Sequence, residues 1–152
     1  MDIEQKIREY LPQVIHMSLA TCEGNKPWVC EVHFIYDESL NLYFRSKPDR
    51  RHSKEIVSNP NVAGNIVTQH RIGEKPRGVY FEGTAELIQN VDENHIAYKL
   101  YCGRFNTDNK ILEDAKKDDG HKFYKIIVDT FYLFDSRESN PSQKYELRWK
   151  EK

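Results

Sequence analysis

Apolar residues recur along this chain with two periods. Near the amino terminus Ile3, Ile7 and Leu11 repeat at i, i+4 and i+8. That spacing predicts an amphipathic helix over residues 2–11, with Asp2 as its N-cap and Pro12 as its stop. From Ile15 the period becomes two. Ile15, Met17, Leu19 and Thr21 alternate with His16, Ser18 and Ala20, the pattern of a strand. Glu23-Gly24-Asn25-Lys26-Pro27 is turn chemistry and leads into a second alternating run over residues 28–36. There Cys30, Val32, Phe34 and Tyr36 share one face, and Glu31 and His33 lie on the other. Asp37-Glu38-Ser39 reads as the next turn, followed by a strand over residues 40–46 with Leu42 and Phe44 on its apolar face.

Lys47-Pro48-Asp49 closes that strand, and a helix is predicted to run to Ser58, ended by Asn59-Pro60. Residues 61–68 and 78–88 read as strands, the latter with Val79, Phe81, Ala85 and Leu87 on one face. Asp92 is placed to cap a helix reaching Phe105, in which Ile96/Leu100 and Ala97/Tyr101/Phe105 repeat at i+4. Residues 106–120 are polar, with one helical turn near Ile111-Leu112. A last strand or strand pair spans 123–135, 136–143 is a loop, and 144–149 is an extended tail. Mostly sequential strands with short helices between them predict a mainly β, antiparallel small barrel rather than a doubly wound sheet.

A length of 152 residues suits a single domain over 1–152. With 24 acidic residues against 23 Lys and Arg, the formal charge is −1, so bulk attraction to nucleic acid or anionic lipid is not expected. Any anion site must be a local concentration of basic residues. No apolar run is long enough to span a membrane, and MDIEQKIREY lacks a signal peptide's apolar centre, which predicts a soluble, cytoplasmic protein. Cys22, Cys30 and Cys102 show no C-x-x-C spacing and read as reduced thiols, Cys30 as a small hydrophobe within a strand. The histidines show neither H-x-x-x-H nor H-x-H, so no protein-ligated metal is expected. There is no G-x-G-x-x-G and no Walker loop.

Two regions carry chemistry. If a three-residue turn at 37–39 pairs Tyr36 with Leu40, then Phe34 faces Leu42, Val32 faces Phe44, Glu31 faces Arg45 and His33 faces Tyr43. This register predicts a polar, aromatic outer wall, which suits a solvated face and a binding face equally. Directly after it comes Arg45-Ser46-Lys47-Pro48-Asp49-Arg50-Arg51-His52-Ser53-Lys54, with five Lys or Arg and one His in ten residues. They stand at a predicted helix start, where free N–H groups and the helix dipole already favour an anion. A phosphate-sized ligand is one occupant. A solvated helix start is the alternative, although basic residues there work against the dipole.

With these residues in place, the chain resembles the FMN-binding split barrel of the pyridoxamine 5′-phosphate oxidase-related clan. The likeness is carried by K-P-W-V-C-E-V-H-F-I-Y-D, L-Y-F-R-S, R-R-H-S-K-E-I-V-S-N-P-N-V-A and G-V-Y-F-E-G-T-A-E-L-I, in this order, over residues 14–90. The resemblance implies a split β-barrel with FMN as cofactor. It places Trp28, Val29, Cys30, Glu31, Val32 and His33 along the flavin ring, and Arg45, Ser46, Arg51 and His52 around its phosphate. It also implies a homodimer with FMN at the subunit interface, and an oxidoreductase acting on a small-molecule substrate. The chain departs from the true oxidase at three places. Arg51-His52 replaces Arg-Lys, Gly78 stands where a glutamine is usual, and the C-terminal Trp and Arg-x-His signature is missing. Oxidation of pyridoxamine phosphate itself is therefore not implied.

The leading expectation is an FMN-dependent oxidoreductase in which the flavin carries the chemistry and no residue stands out as catalytic. The alternative is a non-catalytic flavin- or haem-binding or sensing barrel. An oligonucleotide-binding barrel using Trp28, Tyr43 and Arg45 is a further class that the net charge disfavours. Lys75 and Arg77 are candidates for a pocket mouth or a solvated loop, and Lys144 and Trp149 for a flavin cover or a plain surface.

Overall fold

The helix announced by the first apolar repeat is α1 (Ile3–Tyr10). The Asp2 carboxylate accepts from the Gln5 N–H at 3.0 Å, and Pro12 turns the chain through a 3-10 segment, Leu11–Gln13. The computed structural model describes residues 1–138 and 143–150, so part of the loop expected at 136–143 lies outside the described residues. Then follow β1 (His16–Glu23) and β2 (Lys26–His33), an antiparallel pair joined by a turn in which Gly24 takes a φ of +59°. Next come β3 (Ile35–Tyr36), β4 (Leu42–Ser46), α2 (Arg51–Ser58), β5 (Asn61–Ile66) and β6 (Arg77–Ile88). The chain closes with α3 (Ile96–Phe105), α4 (Lys110–Lys116), β7 (Lys122–Asp135) and β8 (Lys144–Arg148).

The strands form one antiparallel sheet in the order β2-β1-β5-β6-β7-β4-β3, with β8 on β7. The sheet curls around an apolar core contributed by alternate residues of its strands, among them Met17, Leu19, Phe44, Phe81 and Phe131, and Ile7 and Tyr10 of α1 with Leu11 of the 3-10 segment plug one end. This is the mainly β, antiparallel barrel with short helices that the alternation predicts, open in the way the resemblance to a split barrel implies. No helix among the described residues is long and apolar enough to cross a membrane.

The run over 28–36 departs from expectation at its middle. It is not one strand. Cys30, Val32, Phe34 and Tyr36 do face the main core, but Phe34 and Ile35 are both buried, which breaks the alternation. At that point the chain leaves the edge of β1 and joins the edge of β4. The register also differs, because Tyr36 pairs with Leu42 and Ile35 with Tyr43. Leu40, expected as a strand residue, instead sits in the core with a φ of 58° and forces a longer connection. The Asp37 carboxylate holds that connection by accepting from the Asn41 N–H, the Asn41 amide and the Tyr43 hydroxyl at 2.8–3.0 Å. The slip is two residues, so Leu42 and Phe44 keep their inward faces.

The far side of β3 and β4 is not an open polar wall. Tyr43, Ile35 and Phe123 form a second apolar cluster with Ala97 and Tyr101 of α3 and Ile111 and Leu112 of α4. α3 starts later than the sequence implies. Its cap is His95, whose Nδ1 accepts from the Ala97 N–H at 3.1 Å, while Asp92 closes a turn before it. At its other end Arg104 donates to the carbonyls of Leu11, Val14 and Phe34, tying α3 to the crossover. On β6, Val79, Phe81 and Ala85 face the core as expected, whereas Leu87, near the end of the strand, is exposed; a bulge opposite Glu82 and Gly83 shifts the pairing with β7.

Two glycines give opposite expectations. A Cβ at Gly83 would collide with the Ile127 carbonyl in the bulge, whereas at Gly103, inside α3, it would meet open space. Gly83→Ala is expected to lower the melting temperature, and Gly103→Ala to raise stability by up to about 1 kcal/mol through helix propensity. Thermal denaturation of the two variants checks both.

Candidate functional site

The crossover at Phe34 leaves the sheet with two lips. Among the described residues, β2 pairs only with β1, and β4 pairs with the two-residue β3 only at Leu42 and Tyr43, so Phe44–Ser46 has no strand partner on the side away from β7. Unpaired strand edges present N–H and C=O groups that a ligand can satisfy. A cleft of about 440 Å³ lies between these lips, a volume within the usual range for small-molecule sites. One wall is Glu31, Val32 and His33 of β2. The opposite wall is Arg45 and Ser46 of β4 with Lys47, and Arg50 and His52 close one end from the start of α2. Tyr101 and His121 complete the lining.

Each lip is buttressed from α3. His33 stacks on Phe105 with ring centroids 5.1 Å apart, and the Arg45 guanidinium packs against the rings of Tyr101 and Phe123. Arg45 also donates to Asp114 at 3.0 Å, while its Nε is buried without a hydrogen-bond partner. Ser46 is buried, and its hydroxyl lies 2.7 Å from Nε2 of the equally buried His52. The cleft thus combines three permanent cations, a hydroxyl–imidazole pair and an unsatisfied buried donor, a set suited to an oxygen-rich anion.

The sequence pattern described as pyridoxamine 5′-phosphate oxidase matches residues 3–135. This chain belongs to that family. It is 29% identical over 100 residues to a "UPF0306 protein" of Yersinia pseudotuberculosis, covering 65% of this chain and 67% of that protein. Among solved structures it is similar to a heme binding protein from Mycobacterium smegmatis. That likeness has a TM-score of 0.73 at 14% identity over 94% of this chain and 56% of the other. It is also similar to an FAD-binding protein from Mesorhizobium loti, with a TM-score of 0.60 at 19% identity over 84% and 89% of the two chains. At such identities the likeness is one of fold.

Not all the residues that sequence reasoning singled out meet in the cleft of this oxidase-family chain. Glu31, Val32, His33, Arg45, Ser46 and His52 line it; Trp28, Val29, Cys30 and Arg51 do not. Arg51 turns the other way. Its Nε donates to Glu55 at 2.9 Å and its guanidinium lies 4.3 Å over the Trp28 ring. The expected Glu31–Arg45 pair is not formed, because Glu31 accepts from the Ser18 hydroxyl on β1 and Arg45 is taken by Asp114. The cleft adds Lys47, Arg50, Tyr101 and His121, which the sequence reading had not assigned to a site. Lys47 and Arg50 lay inside the basic run and were open to that reading. Tyr101 and His121 gave no local signal.

Arg77 lies far from the cleft, against Gln13 and the Tyr10 ring. Trp149 donates from Nε1 to the Ser39 carbonyl at 2.7 Å and packs edge-on to Phe131, and Lys144 sits over Tyr132.

Burial sets the proton chemistry here. It raises the Cys30 thiol to about 11, so this cysteine stays protonated and unreactive near neutrality. Burial first, and the charge of Arg50 second, lower the His52 imidazole below its ordinary value, against a smaller opposing pull from Glu55. In the ligand-free protein His52 is therefore expected to titrate below about 6.5 by NMR. The unfolded chain binds that proton more readily than the folded one. Stability is accordingly expected to fall as pH drops through the window between the unfolded value and the lower folded value. A His52 ring titrating at or above the ordinary value would contradict this.

Proposed function

We propose that this chain is an FMN-binding flavoprotein, with the flavin ring between the lips of the split barrel and its phosphate at the cationic end. The observation that carries the reading is the convergence of Arg45, Lys47 and Arg50 with the buried Ser46–His52 pair at one end of a cleft flanked by unpaired strand edges. The backbone of Trp28–His33 would run along the ring, and Arg51 would flank the site from beside Trp28. When bound, the flavin would supply hydride or electron transfer to a small substrate. The residues of the chain would hold the phosphate, orient the ring and exclude water from one face.

The reading includes a homodimer with the cleft at the subunit interface, a role that fits Trp28 and Val29 standing exposed on β2, whose outer edge has no strand partner among the described residues. A mass twice that of the chain, measured by light scattering, is the expected result, and a monomer with FMN bound would count against this part.

Haem in the same cleft is the second reading, favoured by the imidazoles of His33 and His121 in the lining and by the haem-binding description of one structural relative. The absorption spectrum of purified protein offered both ligands separates the two, since a flavin's visible bands differ from a Soret band. Turnover of a reduced nicotinamide with a dye acceptor would separate an oxidoreductase from a storage or sensing protein.

Arg50→Ala is expected to weaken FMN binding by about 1–3 kcal/mol, the scale of a lost charge-assisted hydrogen bond. Arg51→Ala should cost less, because that side chain already serves Glu55 and Trp28. Quenching of FMN fluorescence measures both. Equal affinity for wild type and Arg50→Ala would remove the phosphate from this corner.

A further inference from the structure

The cationic end of the cleft holds a second imidazole besides His52. His121 stands one residue before β7, and its neighbour Lys122 pairs with Ser46 in the β4–β7 ladder, which brings the ring to the end of the cleft where β4 stops. The His121 backbone N–H donates to Asp114 Oδ2 at 2.9 Å, and its Nδ1 lies 3.0 Å from the same oxygen. Arg45 donates to that oxygen as well, at 3.0 Å. Burial alone would raise the Asp114 carboxyl. The hydrogen bonds from His121 and the charges of His121 and Arg45 outweigh it and hold the group below the usual carboxylate range.

An ionised carboxylate can only accept, so Nδ1 of His121 carries a proton whether or not the ring is charged. The ring therefore meets the cleft with Nε2 as its remaining functional atom, and among the described residues nothing donates to or accepts from it. Neutral, Nε2 offers a lone pair that repels an oxyanion. Protonated, it offers a charged donor.

We propose that His121 is a titratable ligand for the phosphoryl group in this cleft and that Asp114 is its positioning residue. The proposal rests on the flavin reading above and deepens it, since it makes retention of the phosphate end proton-linked. A phosphoryl dianion favours the protonated ring, so affinity rises as pH falls. Of the groups that share the cleft with His121, Asp114 on α4 and Glu31 on β2 favour its protonation. Arg45 on β4, Lys47 just after it and Arg50 before α2 oppose it, while the Lys122 ammonium is turned away to the Ala115 and Lys117 carbonyls. His33 and His52 add positive charge only when protonated. Tyr101 on α3 stays neutral, because burial raises its hydroxyl.

The test is FMN affinity by fluorescence quenching at about pH 6 and about pH 8, with riboflavin as the probe that lacks the phosphate. Wild-type protein is expected to gain roughly 3- to 10-fold more FMN affinity on acidification than His121→Gln does. The ligand's own second ionisation and His52 act equally in both proteins and cancel. Riboflavin should show no such difference, and Asp114→Asn should lose much of the pH response. His121→Gln keeping the wild-type response would overturn the proposal while leaving the flavin reading intact. A His121-dependent response to riboflavin would also overturn it, by placing the ring at the flavin rather than the phosphate. Absence of FMN binding by wild type at either pH would remove the flavin reading itself. Because His121 is half exposed, its glutamine variant keeps the test open if Asp114→Asn fails to fold.

Discussion

The structure depends on one constraint, the crossover at Phe34. There a single peptide strip serves first as the far edge of β1 and then, through β3, as the edge of β4. At the switch two adjacent side chains are buried on opposite faces, Phe34 in the main core and Ile35 in the second cluster. Hydrogen-bonded pairing cannot continue through such a switch, so the barrel stays open between β2 and β4. α3 braces the opening. Arg104 grips the Phe34 carbonyl, Phe105 backs His33, and Tyr101 backs Arg45. The cleft is therefore not an accident of loop packing. It is what remains when one chain segment satisfies two sheet edges.

Electrostatics follow from that geometry. Arg45 is held over two aromatic rings and paired with Asp114, which keeps a cation inside a partly desolvated wall at a defined position. On the other side of β4, Ser46 and His52 form a neutral pair whose burial suppresses protonation. The charged Arg45 and the nearly neutral Ser46–His52 pair thus adjoin at one end of the cleft, with Lys47 and Arg50 more open to solvent. Such an arrangement would orient an anion as well as attract it.

Much of this was legible in the residues. The strands β1 and β6 follow from simple alternation, β5 and β7 lie within the runs read as strands, and α1 follows from its cap and stop and α2 from its stop. The basic run did fall at the start of α2 beside a strand end. The crossover was hidden because Cys30, Val32, Phe34 and Tyr36 alternate straight through it, and periodicity carries no mark of which neighbour a strand pairs with. Leu40 misled the register, since an apolar residue after a turn reads as the first of a strand, whereas here it bends inward in a left-handed conformation. Within the basic run, pattern could not tell that Arg51 would turn to Glu55, one helical turn on, and leave Arg50 and Lys47 for the cleft. Asp114, His121 and Arg45 are brought together by the packing of α4 against β7, a tertiary event that no local spacing announces.

The pairing of β4 with β7 has a further meaning for how the molecule is made. During vectorial synthesis β4 emerges long before Lys122–Asp135, and until then it has only the two-residue β3 beside it. Later still, Trp149 fastens the turn that carries Ser39. From Ser46 until Lys122 is made, the nascent polypeptide thus carries an apolar strand edge uncovered, and a product stalled or released in that interval would expose a segment that invites self-association. The two walls of the cleft come together only after β7 has emerged.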